Sequence, residues 1–582
     1  MTNKRNRDPA IPRWRYFLVL LLLLCLPAVA LFHIAGLQVV SNLDRGFKFL
    51  QGQGDARTVR TETIPAYRGL ITDRRGEPLA VSTPVVSIWA NPQLIDTRGE
   101  AFVALTEDLG VVTDQLRDRI SRYRNKEFMY LARHLMPLEA EKILAHKVPG
   151  VYGQQEYRRF YPAGEVAAQL VGFTNIDDQG QEGIELAYEK SLSGEPGAKR
   201  VVKDLKGRVI KDVGLLESEK AGRDIALSID LRLQYLAYRE LKAAVNRFRA
   251  ASGSLVMLDV ETGEVLAMVN QPSYNPNNRV GMDINGLRNR VMTDLIEPGS
   301  TMKPLTMFAA LESGKFKPET TLETSPGYIW VAGKTFADHS NYGLLDMTGV
   351  LKKSSQVGTT KIALELDPNM VRDMFSRFGI GEPPGTGFPG ESPGMLPEHR
   401  KWRTIEQVTM AFGYGLAATP LQVARAYSIL AADGVKKPVS LLKVKQPPAG
   451  EQVVDPVIAR QVREMLVAVT EPGGTATRAA IAGYTVAGKT GTSHILGANG
   501  QYEAKRYVGL FAGMVPADNP RLVTVVVIND PQGKDYYGGL VAAPTFAKVS
   551  ADALRLLRVP PDIQPDSQMA DNFKTAAKGD PS

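Results

Sequence analysis

Apolar positions along the chain come mostly in short runs and helical stripes, and one stretch breaks that pattern. Residues 16–37 hold no acidic or basic side chain, His33 aside, and are rich in leucine. As a helix this stretch spans about 33 Å at about 1.5 Å per residue, enough to cross a bilayer core. Lys4, Arg5, Arg7, Arg13 and Arg15 precede it, so the N-terminus is expected to stay cytoplasmic. Ala28-Val29-Ala30 resembles a signal-peptide cleavage site. Apolar residues continue past it to Val40, which favours an uncleaved anchor. Leu22-Leu23-Leu24-Cys25 lacks the small residue expected before a lipidated cysteine.

Downstream, residues 52–73 begin extended and polar and then turn strand-like. The stretch to about residue 224 mixes short strands, turns and amphipathic helices such as 114–123. It contains no pairing of a hydroxyl with an amine and reads as a scaffold. A strand is predicted at 225–230 and a helix at 231–247. Residues 254–259 and 264–269 flank the turn Glu261-Thr262-Gly263 and predict a β-hairpin. Helices are predicted at 420–430 and 455–468, strands at 507–514 and 521–528, and a last helix at 544–557. Strands, then helices, then strands again predict an α+β fold, with a sheet whose first and last strands come from opposite ends of the domain. Residues 560–582 are polar and proline-containing and predict a disordered tail. There is no internal repeat.

Composition narrows the function classes. With 582 residues, 44% hydrophobic and 23% charged, the chain is globular and long enough for more than one core. A net charge of +8 is small for this length. It suits an anionic membrane or cell-wall polymer, and no basic run alternates with aromatics as nucleic-acid binding would need. The single cysteine, Cys25, lies inside the apolar stretch, so the rest of the chain has no disulfide and no thiolate metal site. The six histidines are scattered singly and predict no metal centre. No Gly-x-Ser-x-Gly elbow is present.

Three short segments carry candidate chemistry. In Glu297-Pro298-Gly299-Ser300-Thr301-Met302-Lys303-Pro304, a hydroxyl and an amine stand three apart at the start of an apolar helix. Pro304 suits the opening of that helix. A serine beside an amine that can take its proton is a candidate nucleophile with its own base, although Ser-x-x-Lys arises often by chance and, taken alone, reads first as an N-cap followed by a solvated lysine. Lys353-Ser354-Ser355-Gln356 adds a second hydroxyl and an amide. Gly488-Lys489-Thr490-Gly491-Thr492 adds a second lysine, two hydroxyls and a glycine that lets a ligand approach the backbone.

Two motifs mislead. Residues 483–490 fit the phosphate-binding pattern Gly-x4-Gly-Lys-Thr, which would make the chain a nucleotide hydrolase. That loop needs a helix immediately after it to hold the phosphates. Gly491, Gly497, Asn499 and Gly500 follow instead, without a helical period. Residues 385–390 match Gly-x-Gly-x-x-Gly, but Pro383, Pro384 and Pro389 forbid the strand-turn-helix of a dinucleotide site.

Ser-x-x-Lys, Ser-x-Asn and Lys-Thr-Gly, in that order, are the signature of penicillin-recognising serine enzymes. The chain matches the first and third and carries Gln356 where the family has asparagine. It resembles the class B penicillin-binding proteins, peptidoglycan D,D-transpeptidases, and among them the division-specific type. The resemblance runs from about residue 52 to 557. It includes Arg68-Gly69, Asp73-Arg74 and Gly76 in one motif, Arg159-Phe160-Tyr161-Pro162 with Gly164 in a second, and Gly180, Glu182-Gly183 and Glu185 in a third. Further on it includes Gly413-Tyr414-Gly415, Thr419-Pro420-Leu421-Gln422 and Gly473-Gly474-Thr475-Ala476. It implies a cytoplasmic tail at 1–15, an anchor at 16–37, a non-catalytic pedestal of dimerisation type at 38–224 and a transpeptidase domain at 225–559.

The resemblance also implies roles. Ser300 attacks the penultimate D-alanine carbonyl of a stem peptide, and Lys303 takes its proton. Ser354 relays a proton, and Gln356 stands beside it. The backbone N–H groups of Ser300 and Thr492 form the oxyanion hole. Lys489, Thr490 and Thr492 hold the substrate carboxylate, with Ser355 and Gly491 also at the substrate. Implied partners are stem peptides ending in D-Ala-D-Ala, β-lactam antibiotics, a membrane-embedded glycosyltransferase and other division proteins. No metal or organic cofactor is implied. The first 37 residues are expected to leave no room for a soluble glycosyltransferase domain, and the pedestal motifs and anchor disfavour a β-lactamase or a free carboxypeptidase. Gln356 leaves two readings open: a competent division enzyme, or a catalytically weakened paralogue acting partly as a scaffold.

Overall fold

The structure is a computed structural model that describes residues 12–38, 59–203, 209–497 and 501–563. Most of the expected cytoplasmic tail and of the expected disordered C-terminal tail lies outside the described residues. Arg13–Gln38 form one helix with Pro27 inside it. Within Arg13–Ala35 an 18-residue stretch has a mean hydropathy of 2.8, and none of it is buried. Among the described residues it is the one helix long and apolar enough to cross a membrane. By composition it fits a single-pass anchor.

The chain divides into two compact units. One is Met1–Tyr67, Pro84–Tyr157 and Gly194–Ala221; the other is Arg68–Thr83, Arg158–Ser193 and Gly222–Ser582. In the first, Val59–Ile64, Gly197–Lys203 and Val209–Glu217 make a three-stranded antiparallel sheet. A small core gathers Phe102 and Leu105 of the helix Glu100–Asp108, Leu116 and Ile120 of the helix Thr113–Arg122, and strand residues Ile88, Met129 and Leu131. Leu116 and Ile120 are four apart, so one face of a short charged helix is buried and the rest solvated.

In the second unit, α1 (Leu231–Phe248) leads into the antiparallel pair β1 (Ser252–Asp259) and β2 (Val265–Gln271). Helices α2 (Lys303–Glu312), α3 (Met347–Lys353), α4 (Gln356–Glu365), α5 (Pro420–Ala431) and α6 (Pro456–Thr470) follow. The chain then returns as β3 (Ala487–Leu496), β4 (Tyr502–Val515) and β5 (Leu522–Asn529), and closes with α7 (Ala543–Leu556). The sheet order is β2-β1-β5-β4-β3, so its edge strands come from opposite ends of the domain, as predicted; in addition β1 and β5, the first and last strands in sequence, pair within it. Every residue of β1 and β2 is buried, which explains their nearly continuous apolar runs. β3 is an edge strand.

One sequence expectation is corrected. The strand predicted at 225–230 is only Ile225–Ala226, paired with Ile71–Thr72. Asp230 ends it early: its carboxylate accepts the Arg232 N–H at 3.0 Å and caps α1. The three motifs expected to belong to a pedestal meet in the same unit as this sheet. The fully buried Arg68 donates to Glu185 at 2.7 Å and to Glu189 at 2.6 Å, and Arg159 donates to the other Glu185 oxygen at 2.6 Å. Residues 385–390 form a loop, and the Gly-Lys-Thr segment lies within strand β3 with no helix after it. Both misleading motifs are thereby excluded.

Candidate active site

Ser300 sits in the 3₁₀ turn Gly299–Met302, and α2 begins at Lys303 with Pro304 in its first turn. Gly299 adopts φ +56°, a left-handed conformation that turns the chain sharply into the helix. Ser300 is second in this turn, where a backbone N–H has no partner within the helix. Strand β3 passes close by: a Cβ on Gly491 would lie 2.6 Å from the Pro298 carbonyl oxygen. Glycine at 491 is what lets the nucleophile turn and the edge strand meet.

The second segment joins two helices. Ser354 ends α3 in a left-handed conformation, φ 55° and ψ 38°, and Ser355 caps α4. This strained residue presents Ser354 between the two lysines. Lys303 Nζ donates to the Ser354 carbonyl at 2.6 Å, the Ser355 carbonyl at 3.2 Å and Ser354 Oγ at 3.3 Å. From the opposite side Lys489 Nζ donates to Ser354 Oγ at 3.0 Å and to the Thr490 carbonyl at 3.3 Å.

Both lysines are completely buried. Burial pushes Lys303 down to about 7, with the Asp338 carboxylate pulling the other way. Burial and the neighbouring Lys303 push Lys489 well below the ordinary lysine range. Two positive charges are not both favoured there.

Beside the two lysines lies a cavity of about 540 Å³ lined by Ser300, Ser354, Gln356, Thr490 and Thr492. The Thr490 and Thr492 carbonyls point off the sheet, one to Lys489 Nζ and the other to Tyr414 OH at 3.2 Å. In an antiparallel strand the N–H of a residue points the same way as its C=O. The Thr492 N–H therefore faces the cavity beside Ser300.

Ser355 and Gly491, read from the sequence as substrate-binding, do not line this cavity. Ser355 is buried, and its hydroxyl donates to Asp338 at 2.6 Å while accepting the Gly358 N–H at 2.9 Å. Gly491 serves the close approach of β3 to the nucleophile turn.

Sequence reasoning missed four features. Asp338, just after the strand Lys334–Ala337, accepts the Gln356 and Val357 N–H groups at 2.6 and 3.1 Å and fixes the start of α4. No local motif marks it. Tyr414 was seen within Gly-Tyr-Gly, but its bond to Thr492 was not. Thr475 Oγ1 lies 3.1 Å from Thr490 Oγ1, and Thr475 was seen only within its Gly-Gly-Thr motif. One wall is aromatic: Tyr507 and Tyr536 stack at 4.0 Å, with Tyr537 against Tyr536 at 4.4 Å. The adjacent tyrosines in an otherwise polar loop were the available signal.

The family model described as the penicillin binding protein transpeptidase domain matches residues 253–551, and that of the penicillin-binding protein dimerisation domain matches 63–227. The chain belongs to the penicillin-binding protein transpeptidase family. It is 44% identical to the peptidoglycan D,D-transpeptidase FtsI of Escherichia coli K12, over 94% of this chain and 93% of that protein. It is also 44% identical to the probable peptidoglycan D,D-transpeptidase PbpC of Pseudomonas aeruginosa, over 93% of this chain and 96% of that one. The apo TP domain of penicillin-binding protein 3 from Burkholderia pseudomallei superimposes with a TM-score of 0.54 at 42% identity, covering 58% of this chain and 98% of that one. A peptidoglycan synthetase from Bifidobacterium adolescentis gives a TM-score of 0.69 at 27% identity, covering 87% of this chain and 98% of that one. This penicillin-binding protein places its three motifs around one cavity, although they are spread over nearly two hundred residues of sequence.

Proposed function

We propose that the chain is a peptidoglycan D,D-transpeptidase that cross-links stem peptides in septal cell-wall synthesis and is acylated by β-lactams. The observation that carries the reading is the convergence of Lys303 Nζ and Lys489 Nζ on Ser354 Oγ, at 3.3 and 3.0 Å, in the cavity that Ser300 lines.

The geometry supports the following sequence of steps. The terminal carboxylate of a D-Ala-D-Ala stem peptide binds near Lys489, Thr490 and Thr492. The charge it brings keeps Lys489 protonated and leaves Lys303 neutral. Ser300 Oγ attacks the penultimate carbonyl as its proton passes to Lys303. The oxyanion accepts from the Ser300 and Thr492 N–H groups, each such donor contributing about 3 kcal/mol to lowering the barrier. Ser354, hydrogen-bonded to both lysines, carries a proton toward the departing D-alanine nitrogen. An amine of a second stem peptide then attacks the ester carbonyl, forms the cross-linking amide and returns Ser300 to its hydroxyl form. Water in place of the amine would make the same centre a carboxypeptidase.

In this reading residues 38–224 serve as the pedestal and 225–559 as the transpeptidase domain. The helix Arg13–Gln38 is the anchor, with its basic flank cytoplasmic and the catalytic unit periplasmic. A membrane-embedded glycosyltransferase that supplies nascent strands, and other division proteins, are the expected partners. No observation favours a scaffold with weakened catalysis.

The test is intact-mass spectrometry of the full chain with a labelled penicillin. One covalent adduct is expected, lost in Ser300→Ala with the melting temperature little changed. An adduct that survives Ser300→Ala would remove the nucleophile from the proposal.

A further inference from the structure

Glu297 stands three residues before Ser300, and no cation pairs with it among the described residues. The Gly415 N–H donates to its Oε1 at 2.9 Å and Tyr502 OH donates to its Oε2 at 2.9 Å. These bonds fix the carboxylate and leave its charge uncompensated.

Glu297 lines a second cavity, of about 440 Å³, which shares Ser493 and His494 with the nucleophile cavity. Leu295, Ile296, Met395 and Leu496 give this cavity apolar walls. Arg290 and Asp294 also line it and pair with each other at 3.0 Å; Arg290 donates as well to the Asn285 carbonyl at 3.0 Å, and only its Nε has no hydrogen-bond partner. Ser493, only 1% exposed, has an Oγ with no hydrogen-bond partner. A buried hydroxyl without a partner is costly unless a ligand satisfies it. Apolar walls, a held but unpaired carboxylate and a free hydroxyl together suit an aliphatic chain that ends in an ammonium.

We propose that Glu297 is the counter-ion for the acceptor strand: this cavity takes the aliphatic arm of the second stem peptide, and the carboxylate holds its terminal ammonium beside the acyl-enzyme. The inference rests on the transpeptidase reading given above. Holding precedes chemistry. The ammonium loses one proton to solvent, and only then does its nitrogen attack the Ser300 ester. Glu297 acts on which nucleophile resolves the acyl-enzyme, and water needs no such counter-ion.

The full chain in detergent is given an acyl-D-alanyl thioester as donor and N-α-acetyl-lysine as charged acceptor, with methanol as neutral acceptor. Mass spectrometry reads the ratio of transfer product to hydrolysis product. Both products leave the same acyl-enzyme, so the ratio is independent of the acylation rate. Glu297→Gln is expected to lower the lysine ratio at least about fivefold and Glu297→Asp to retain part of it, a size ordinary for a partly exposed ion pair. The methanol ratio is expected to stay unchanged. In the native protein, salt should depress transfer to lysine and leave methanolysis alone, which decides the matter even if Glu297→Gln does not fold. A lysine ratio within about 1.5-fold of the native value in Glu297→Gln overturns the inference. So does an equal fall with methanol, since the carboxylate would then act on the acyl-enzyme as a whole and not on the charged acceptor. A native chain that forms no acyl-enzyme would instead overturn the transpeptidase reading.

Discussion

Asp338 accepts the Ser355 hydroxyl at 2.6 Å, and its other oxygen accepts the Gln356 N–H at 2.6 Å. One carboxylate thus holds the first turn of α4 and, with it, the backbone carbonyls that grip Lys303. It also offsets part of the burial that lowers Lys303.

Asp338→Asn is expected to slow acylation by a fluorescent penicillin about tenfold, a loss of about 1.4 kcal/mol of transition-state stabilisation. It should also move the acidic limb of the pH–rate profile to lower pH, because Lys303 loses the negative charge that favours its protonated form. A slower rate with an unmoved limb would show that Asp338 only shapes the helix. A limb moved upward would contradict the electrostatic account.

The pH dependence of the native protein has a definite sign. Lys303, lowered to about 7, accepts the Ser300 proton only in its neutral form. Acylation is therefore expected to rise with pH through about 7 and level off above it. Lys303→Arg, which cannot shed its charge, should reduce the rate at least about a hundredfold at every pH. Single-turnover acylation from pH 5.5 to 8.5 checks this. A flat profile, or one that falls over that range, would remove Lys303 as the base.

What the sequence disclosed follows from how local the physics was. Ser300 and Lys303 lie in one turn and the helix start that follows it, so their spacing was enough to place both at the opening of α2. Lys489 was legible through its neighbours Thr490, Gly491 and Thr492, and the glycines after it argued against a phosphate loop. Asp338 was not legible, because it meets Ser355 and Gln356 only after the strand Lys334–Ala337 and α4 have packed. The aromatic wall was hidden for the same reason: Tyr507 lies on β4 and Tyr536 in a loop twenty-nine residues later. The strand expected at 225–230 was drawn too long because apolar alternation continues through Ile229, whereas Asp230 already belongs to the cap of α1.

Glu185 offers a test of the unit's stability away from the cavity. It is fully buried between Arg68 and Arg159, whose side chains are 2% and 1% exposed. Glu185→Gln leaves two buried guanidinium groups without their shared charge, at a cost of about 3–5 kcal/mol. The expected result is a melting temperature lower by several degrees with the thioester partition ratio unchanged in whatever protein remains folded. A stability within about 0.5 kcal/mol of the native value would mean that Glu189 alone suffices to neutralise the cluster.

Gln356 is the motif position that departs from the family, and it lines the substrate cavity one residue after Ser355. Its backbone is fixed by Asp338, so the extra methylene displaces only the side-chain amide, by about one C–C bond. A misplacement of about 1 Å can cost about a hundredfold in rate. If the native amide is out of register with the acylating carbonyl, Gln356→Asn should speed acylation about tenfold, or about 1.4 kcal/mol. The measurement is the second-order acylation rate with a penicillin and with a thioester. Equal or slower acylation in Gln356→Asn would show that the cavity is shaped around the longer side chain. The native centre is then fully competent, and the departure at 356 carries no argument for weakened catalysis.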